Sequence, residues 1–334
     1  MVAAQVVTGT GMALTGVVDG FVPLVVTQCL WGGGWALASG ADVAWITDEL
    51  DRSDEIDRVL VAQARHELVG TLLGLTAGGA LAWATSREVA IVLAGIAMAF
   101  LAVSVARWPE TPRPGPPVGA RVGEAAAVVR RSIVLARGDR VILGVLVATA
   151  LVNGGAEGFG RLRERTLLAL GLPAVAPIVW FTTLAVASAA AGALALRVVQ
   201  ARIDGTDAAR RSYVGAAGVG TVGLLVFALA PNGAGAAAGA ILVTGLSQPL
   251  TRVAATVLVN RRTTSDVRAT VHSMLSWSEN AGELVFGLAL AVVAARTTPT
   301  VALVISALLV GAAGLAVSRA SRRSARRGAG RQRG

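Results

Sequence analysis

The chain has 334 residues, 54% of them hydrophobic, with a mean hydropathy of +0.66. An ordinary soluble domain is excluded, since such domains are about 45–50% apolar. The formal charge is +10, the single Cys29 rules out an intrachain disulfide and a multi-cysteine metal site, and with two histidines no transition-metal site or other cofactor is expected.

Runs of about 20 apolar residues predict a polytopic membrane protein. Ten spanning helices are expected, over 2–18, 21–46, 56–84, 89–107, 141–159, 173–197, 212–230, 234–257, 267–295 and 299–318. Ala, Leu and Gly dominate them, without strand alternation, and helices satisfy every backbone group within the segment, as lipid demands. The predicted class is therefore an all-α membrane bundle. No cleavable signal peptide is expected, because Met1 leads straight into Val-Ala-Ala.

In the second span, Trp31 and Trp35 flank Gly32–Gly34 and are candidates for lining a substrate pocket. The span ends in "SGADVAWITDEL", residues 39–50, where Asp42 stands close to Trp45. Asp48, Glu49, Asp51, Asp54, Glu55 and Asp57 follow and are expected in a solvated loop. The third span carries Glu67, and its Gly70, Gly74 and Gly78 predict a small-residue stripe for close helix packing. Cys29 is expected in an apolar core.

The longest connection, 108–140, opens on the extended Pro-rich "PETPRPGPP". Val122, Ala126, Val129 and Ile133 then recur at helical spacing among arginines, which predicts an amphipathic helix on the inner membrane surface. The expected organisation is a partial N-terminal half over 1–107, this central loop over 108–140, a six-helix half over 141–318 and a disordered basic tail over 319–334.

Asn153 and Glu157 lie in the span 141–159, with Arg161 four residues after Glu157 and so within reach along one face. The spans 89–107, 212–230 and 299–318 have no acid within their apolar runs and read as lipid-facing or structural. Gln248 and Arg252 fall in 234–257, and Glu279, Asn280 and Glu283 in 267–295. Asn153 is a further candidate for the pocket wall.

All thirty basic residues are arginine. With the N-terminus inside, 25 fall on the inner side and 5 on the outer side, a strong positive-inside bias. It places both termini in the cytoplasm and accounts for the net charge without nucleic acid. The tail is expected to lie near anionic lipid.

A charged side chain at mid-membrane costs about 2.5–3.5 kcal/mol on insertion scales. Such residues persist where they face a bundle interior or a wet cavity. Glu279 and Glu283 are four apart and share a helix face. Both cannot easily be ionised in a poorly solvated place, and a carboxyl that keeps a proton there is what a proton-carrying site needs. Arg252 is the expected partner across the cavity. No P-loop, zincin or GxSxG motif occurs, so no enzyme is expected.

These residues resemble the major facilitator superfamily of secondary transporters. "SGADVAWITDEL" looks like the fourth-helix exit of bacterial drug-efflux-like members. "EGFGRLRER", residues 157–165, is similar to the seventh-helix end, and "VRATVHSMLSWSENAGE", residues 267–283, to the start of the eleventh helix. The glycine stripe is a loose version of the fifth-helix antiporter signature, with Leu75 after Gly74 where proline would be expected. The resemblance makes 2–18 the third helix, so that ten of the usual twelve helices are expected and the first two are lacking. It implies a monomeric, proton-coupled exporter of a small amphiphilic molecule or drug in the bacterial inner membrane. The alternative is a truncated, non-transporting relative that serves as an interaction or assembly component.

Overall fold

The computed structural model describes residues 1–39, 41–50, 55–108, 121–171, 177–203 and 205–331; side chains are described within these except at 121–126, 177–178 and 321–331. Every regular element among the described residues is a helix, with no strand among them. They include nine helices long and apolar enough to cross a membrane. The protein is an all-α, multi-pass membrane protein, and it divides into two compact units.

The first unit comprises residues 1–53 and 70–126. Helix α1 (Val2–Thr15) packs between α2 (Phe21–Ala38) and α5 (Arg87–Val105). Small residues make this possible: a Cβ on Gly9 would stand 2.6 Å from Gly95 O, and one on Gly11 2.6 Å from Trp31 N. At 14 residues, α1 is about 21 Å long against a hydrocarbon core of about 30 Å. It is thus shorter than the expected span over 2–18; the chain leaves the helix at Gly16 and turns at Gly20, whose φ of +91° suits only glycine. The expected span over 21–46 is broken in two. Ser39 leaves helical geometry with ψ 116°, and α3 (Ala41–Glu49) follows. Its Trp45 stacks on Trp108 at 4.9 Å. Cys29 is exposed on α2 rather than in a core, because α1 covers the face carrying Thr27 and Gly34.

Helix α4 (Ile56–Ala84) is shared: 54–69 belongs to the second unit and the rest to the first. The glycine stripe does not act as expected. A methyl on Gly70, Gly74 or Gly78 would meet nothing within 4 Å among the described residues.

The second unit holds residues 54–69 and 127–334. After α6 (Arg121–Gly138), which lies where the amphipathic helix was expected, come α7 (Arg140–Ala169), α8 (Pro177–Gln200) and α9 (Gly205–Ala228). Then follow α10 (Gly233–Ala240), a π-helical stretch (Ile241–Ser247), α11 (Gln248–Asn260), α12 (Ser265–Arg296) and α13 (Pro299–Arg331). Helix α7 packs against α12 and α13, and α9 against α10, α11 and α13. The "NGGAEG" run of α7 lets its neighbours close in: a Cβ on Gly154 would stand 2.8 Å from Gly282 O, and one on Gly155 3.0 Å from Ser306 O. Phe159 and Phe227 meet edge to face at 4.9 Å in the core. The tail was expected to be disordered from 319; the backbone of α13 stays helical to Arg331, with no proline in the Ala- and Arg-rich stretch after Pro299 to stop it.

These contacts set two substitutions apart. Gly282→Ala drives a methyl into the Ala150 carbonyl on α7, and overpacking of this kind costs about 1–3 kcal/mol. Gly74→Ala meets open space, and alanine exceeds glycine by about 1 kcal/mol in helix propensity. Thermal unfolding in detergent should show the first variant clearly destabilised and the second equal to the parent or slightly above it. Equal losses would contradict the packing.

Candidate functional site

Four helices of the second unit line an open cavity of about 300 Å³. Helix α7 contributes Thr149, Val152 and Asn153, and α9 contributes Tyr213. Gln248, Thr251 and Arg252 come from α11, and Glu279 and Glu283 from α12. Only one of these nine side chains, Val152, is aliphatic, so the wall can recognise polar groups. The volume is at the lower end of ligand pockets.

The α11 wall depends on the preceding π-helical stretch. Pro249 has no N–H, so the Gly245 carbonyl four residues earlier has no helical donor from it. The wide Ile241–Ser247 turn falls at that point; such turns concentrate at functional sites. Thr244 steadies it, donating to Ala240 O at 2.9 Å and lying 3.0 Å from the Ser188 hydroxyl on α8. Gln248, Thr251 and Arg252 follow on successive turns with the cavity on their face.

Arg252 sits between two carboxylates: its Nη1 is 3.6 Å from Glu67 on α4 and its Nε 3.8 Å from Glu279. Glu279 is the more enclosed of the two, with 20% of its side chain exposed against 58% for Glu67. Glu283 also lines the cavity but forms no ion pair among the described residues. On the α7 wall, the Asn153 amide donates to Thr149 O at 2.9 Å, which leaves its side-chain oxygen available. The hydroxyls of Tyr213 and Thr149 are buried and lack a hydrogen-bond partner among the described residues.

Of the candidates read from the sequence, Asn153, Gln248, Arg252, Glu279 and Glu283 come together in this cavity, and Glu67 reaches it through Arg252. Asn280, exposed on α12, is not part of the wall. Glu157 pairs with Arg161 at 2.8 Å along α7, one turn beyond Asn153 and not itself part of the lining. Trp31, Trp35 and Asp42 belong to the first unit; Trp31 and Asp42 are half-buried and Trp35 is exposed. Sequence reasoning missed Thr149, Thr251 and Tyr213. The span 212–230 was read as lipid-facing or structural for want of an acid, yet Tyr213, the only tyrosine in the chain, is fully buried there and lines the cavity. The signal that could have found it was a lone phenol at the polar end of an otherwise Ala/Gly/Val helix.

A second polar cluster lies at the helix ends. Asp57, expected in a solvated loop, is 1% exposed; it accepts from Arg261 Nε at 2.7 Å and from Gly205 N, at the start of α9, at 3.4 Å. Asp139 caps α7 through Val141 N at 2.7 Å and also binds Arg262 at 3.1 Å. Arg65 donates to Gln200 at 2.9 Å, and Arg131 lies 3.4 Å from Asp266. Asp51 and Asp54 lie outside the described residues.

No family model matches the chain, and no curated protein does. Solved structures do. The E. coli fucose:proton symporter FucP aligns over 96% of this chain and 82% of its own, with a TM-score of 0.69 at 11% identity. A structure of the Major Facilitator Superfamily transporter FucP in the outward conformation aligns at TM-score 0.72 and 13% identity, over 96% of this chain and 82% of its own. The human organic anion transporter MFSD10 also gives 0.72, at 13% identity, over 95% of this chain and 76% of its own. The chain has the major facilitator fold. At such low identities the likeness carries no residue roles, and the polar wall of this major facilitator bundle has to be read from its own side chains.

The Glu157–Arg161 pair is half-exposed, with 33% and 52% of the two side chains accessible, so it should contribute under about 1 kcal/mol. Glu157→Gln is expected to leave the unfolding midpoint in detergent within about a degree or two of the parent. A loss several times larger would mean that the pair, packed over Gly287, holds α7 to α12.

Proposed function

We propose that the protein is a secondary active transporter that exports a small amphiphilic molecule or drug in exchange for protons, by alternating access. The observation that carries this reading is the polar cavity with Glu279 and Glu283 one helical turn apart beside Arg252. Ionisable groups at membrane depth mark substrate and proton pathways. The fold adds support, since its solved neighbours include a fucose:proton symporter and an organic anion transporter. On this reading the protein is a monomer in the bacterial inner membrane, with both termini cytoplasmic, as the arginine bias suggests. Asp42, Trp31 and Trp35 are its candidates in the first unit.

Purified protein in liposomes tests it. With an imposed pH gradient and ethidium as the probe, protein-dependent uphill movement that collapses with the gradient is expected. Folded protein that moves no ethidium, and shows no proton flux with other amphiphiles, would favour the non-transporting alternative.

A further inference from the structure

The buried hydroxyls of Tyr213 and Thr149 make no hydrogen bond among the described residues. Tyr213 is fully buried and Thr149 is 4% exposed, and both line the cavity. A buried polar group left unsatisfied is destabilising, so two of them lining one cavity, on α7 and α9, point to something that satisfies them when bound. The Asn153 side-chain oxygen stands on the same helix as Thr149, one turn on. Across from them the charge is unbalanced. Arg252 is divided between Glu67 and Glu279, and Glu283 has no ion pair among the described residues. The wall therefore offers a carboxylate to a cation and hydroxyls to a neighbouring hydrogen-bonding group. At about 30 Å³ per water-sized group, the cavity holds roughly ten of them.

We infer that this cavity binds the polar head of the transported amphiphile, and that this head is an ammonium with a hydroxyl close beside it. The inference rests on the transporter reading only for the word transported; the site itself is a binding site in the second unit. Glu283 takes the ammonium, with Glu279 next to it, and Tyr213 and Thr149 exchange hydrogen bonds with the hydroxyl. Tyr213 thereby becomes a specificity residue on a helix without a single buried acid in its apolar run.

Three small probes of matched size separate the parts of the head: phenylethanolamine has both groups, phenethylamine the amine alone and styrene glycol the hydroxyls alone. Calorimetric titration of the purified full-length protein in detergent should give phenylethanolamine the highest affinity, by about tenfold over either comparator, the gain of one well-made hydrogen bond or charge contact. Tyr213→Phe keeps the ring and removes only the unpartnered hydroxyl. It should lower phenylethanolamine affinity about five- to tenfold, leave phenethylamine binding unchanged and not lower the unfolding midpoint. Thr149→Val, of equal size, should act in the same direction. Equal affinity for the three probes, preference for phenethylamine or the glycol, or an unchanged preference in both variants would overturn the inference. Its failure is distinct from failure of the transporter reading. Proton-driven ethidium movement without the phenylethanolamine preference removes the head group alone; that preference without any transport leaves the site and removes the transporter.

Discussion

Glu283→Gln is expected to abolish proton-driven uphill movement of ethidium in proteoliposomes while retaining a slower downhill movement, since the variant loses one carboxylate contact to the cation but keeps Glu279 and the rest of the wall. Among the groups that line the cavity, Glu283 is the carboxylate without an ion pair. The charged side chains acting on it are Glu157, Glu279 and Arg252. Glutamine keeps the shape and the hydrogen-bonding capacity but can neither gain nor lose a proton. If the proton enters the cycle through this carboxyl, the variant has no way to couple its movement to the gradient. Glu279→Gln is the control. Glu279 already shares Arg252, so its loss should mainly weaken binding or folding, with some coupling retained. The readout is accumulation of ethidium against a gradient of pH, compared with its equilibration without one. Parent-like accumulation in Glu283→Gln would remove this residue from the coupling mechanism and leave Asp42 and Glu157 as the remaining acidic candidates.

Arg261→Ala is expected to destabilise the second unit by about 3 kcal/mol, since breaking a buried pair by removing one partner leaves an uncompensated charge. Asp57 is 1% exposed, and its Oδ2 accepts both Arg261 Nε and the N–H of Gly205. Its Oδ1 has no hydrogen-bond partner among the described residues. The figure lies at the low end of the usual range because Arg261 is itself 29% exposed and water can partly replace it. In a unit of this size the midpoint should fall by roughly 6–12 °C. The double variant Asp57→Asn, Arg261→Leu should recover most of that loss, because removing both charges leaves no buried ion behind. An Arg261→Ala midpoint within about 1 °C of the parent would show that the pair contributes little.

The parts of the molecule that the sequence announced are those governed by local chemistry. The 19-residue helix Arg87–Val105, uninterrupted by a polar residue from Val89 to Val103, spans a membrane wherever it is placed. The starts of α5 and α7 are also local, set by Ser86 and Asp139, whose side chains accept from N–H groups of the first turn, although the expected spans began at 89 and 141 without these caps. The spacing of Glu279 and Glu283 placed them on one face before any neighbour was known. The pairing of Glu279 with Arg252 was also within reach, because a bundle leaves few other cations at that depth.

What the sequence could not show depends on which helix lies against which. Gly70, Gly74 and Gly78 form a regular stripe yet face open space, whereas Gly154 and Gly282, on helices more than a hundred residues apart, form the tight crossing. Spacing along one helix says that a small face exists, and only a second helix gives it contact. Asp57 reads as one of six loop acids until Arg261, 204 positions away, and the start of α9 enclose it. Tyr213 and Thr149 carry no charge to draw notice in sequence. Their buried, unanswered hydroxyls exist only because α7, α9, α11 and α12 close around one cavity. Composition, charge bias and periodicity thus determined that this chain is a helical membrane bundle. The identity of its cavity wall was decided by tertiary packing, since burial and hydrogen-bond satisfaction are properties of neighbours and not of residues.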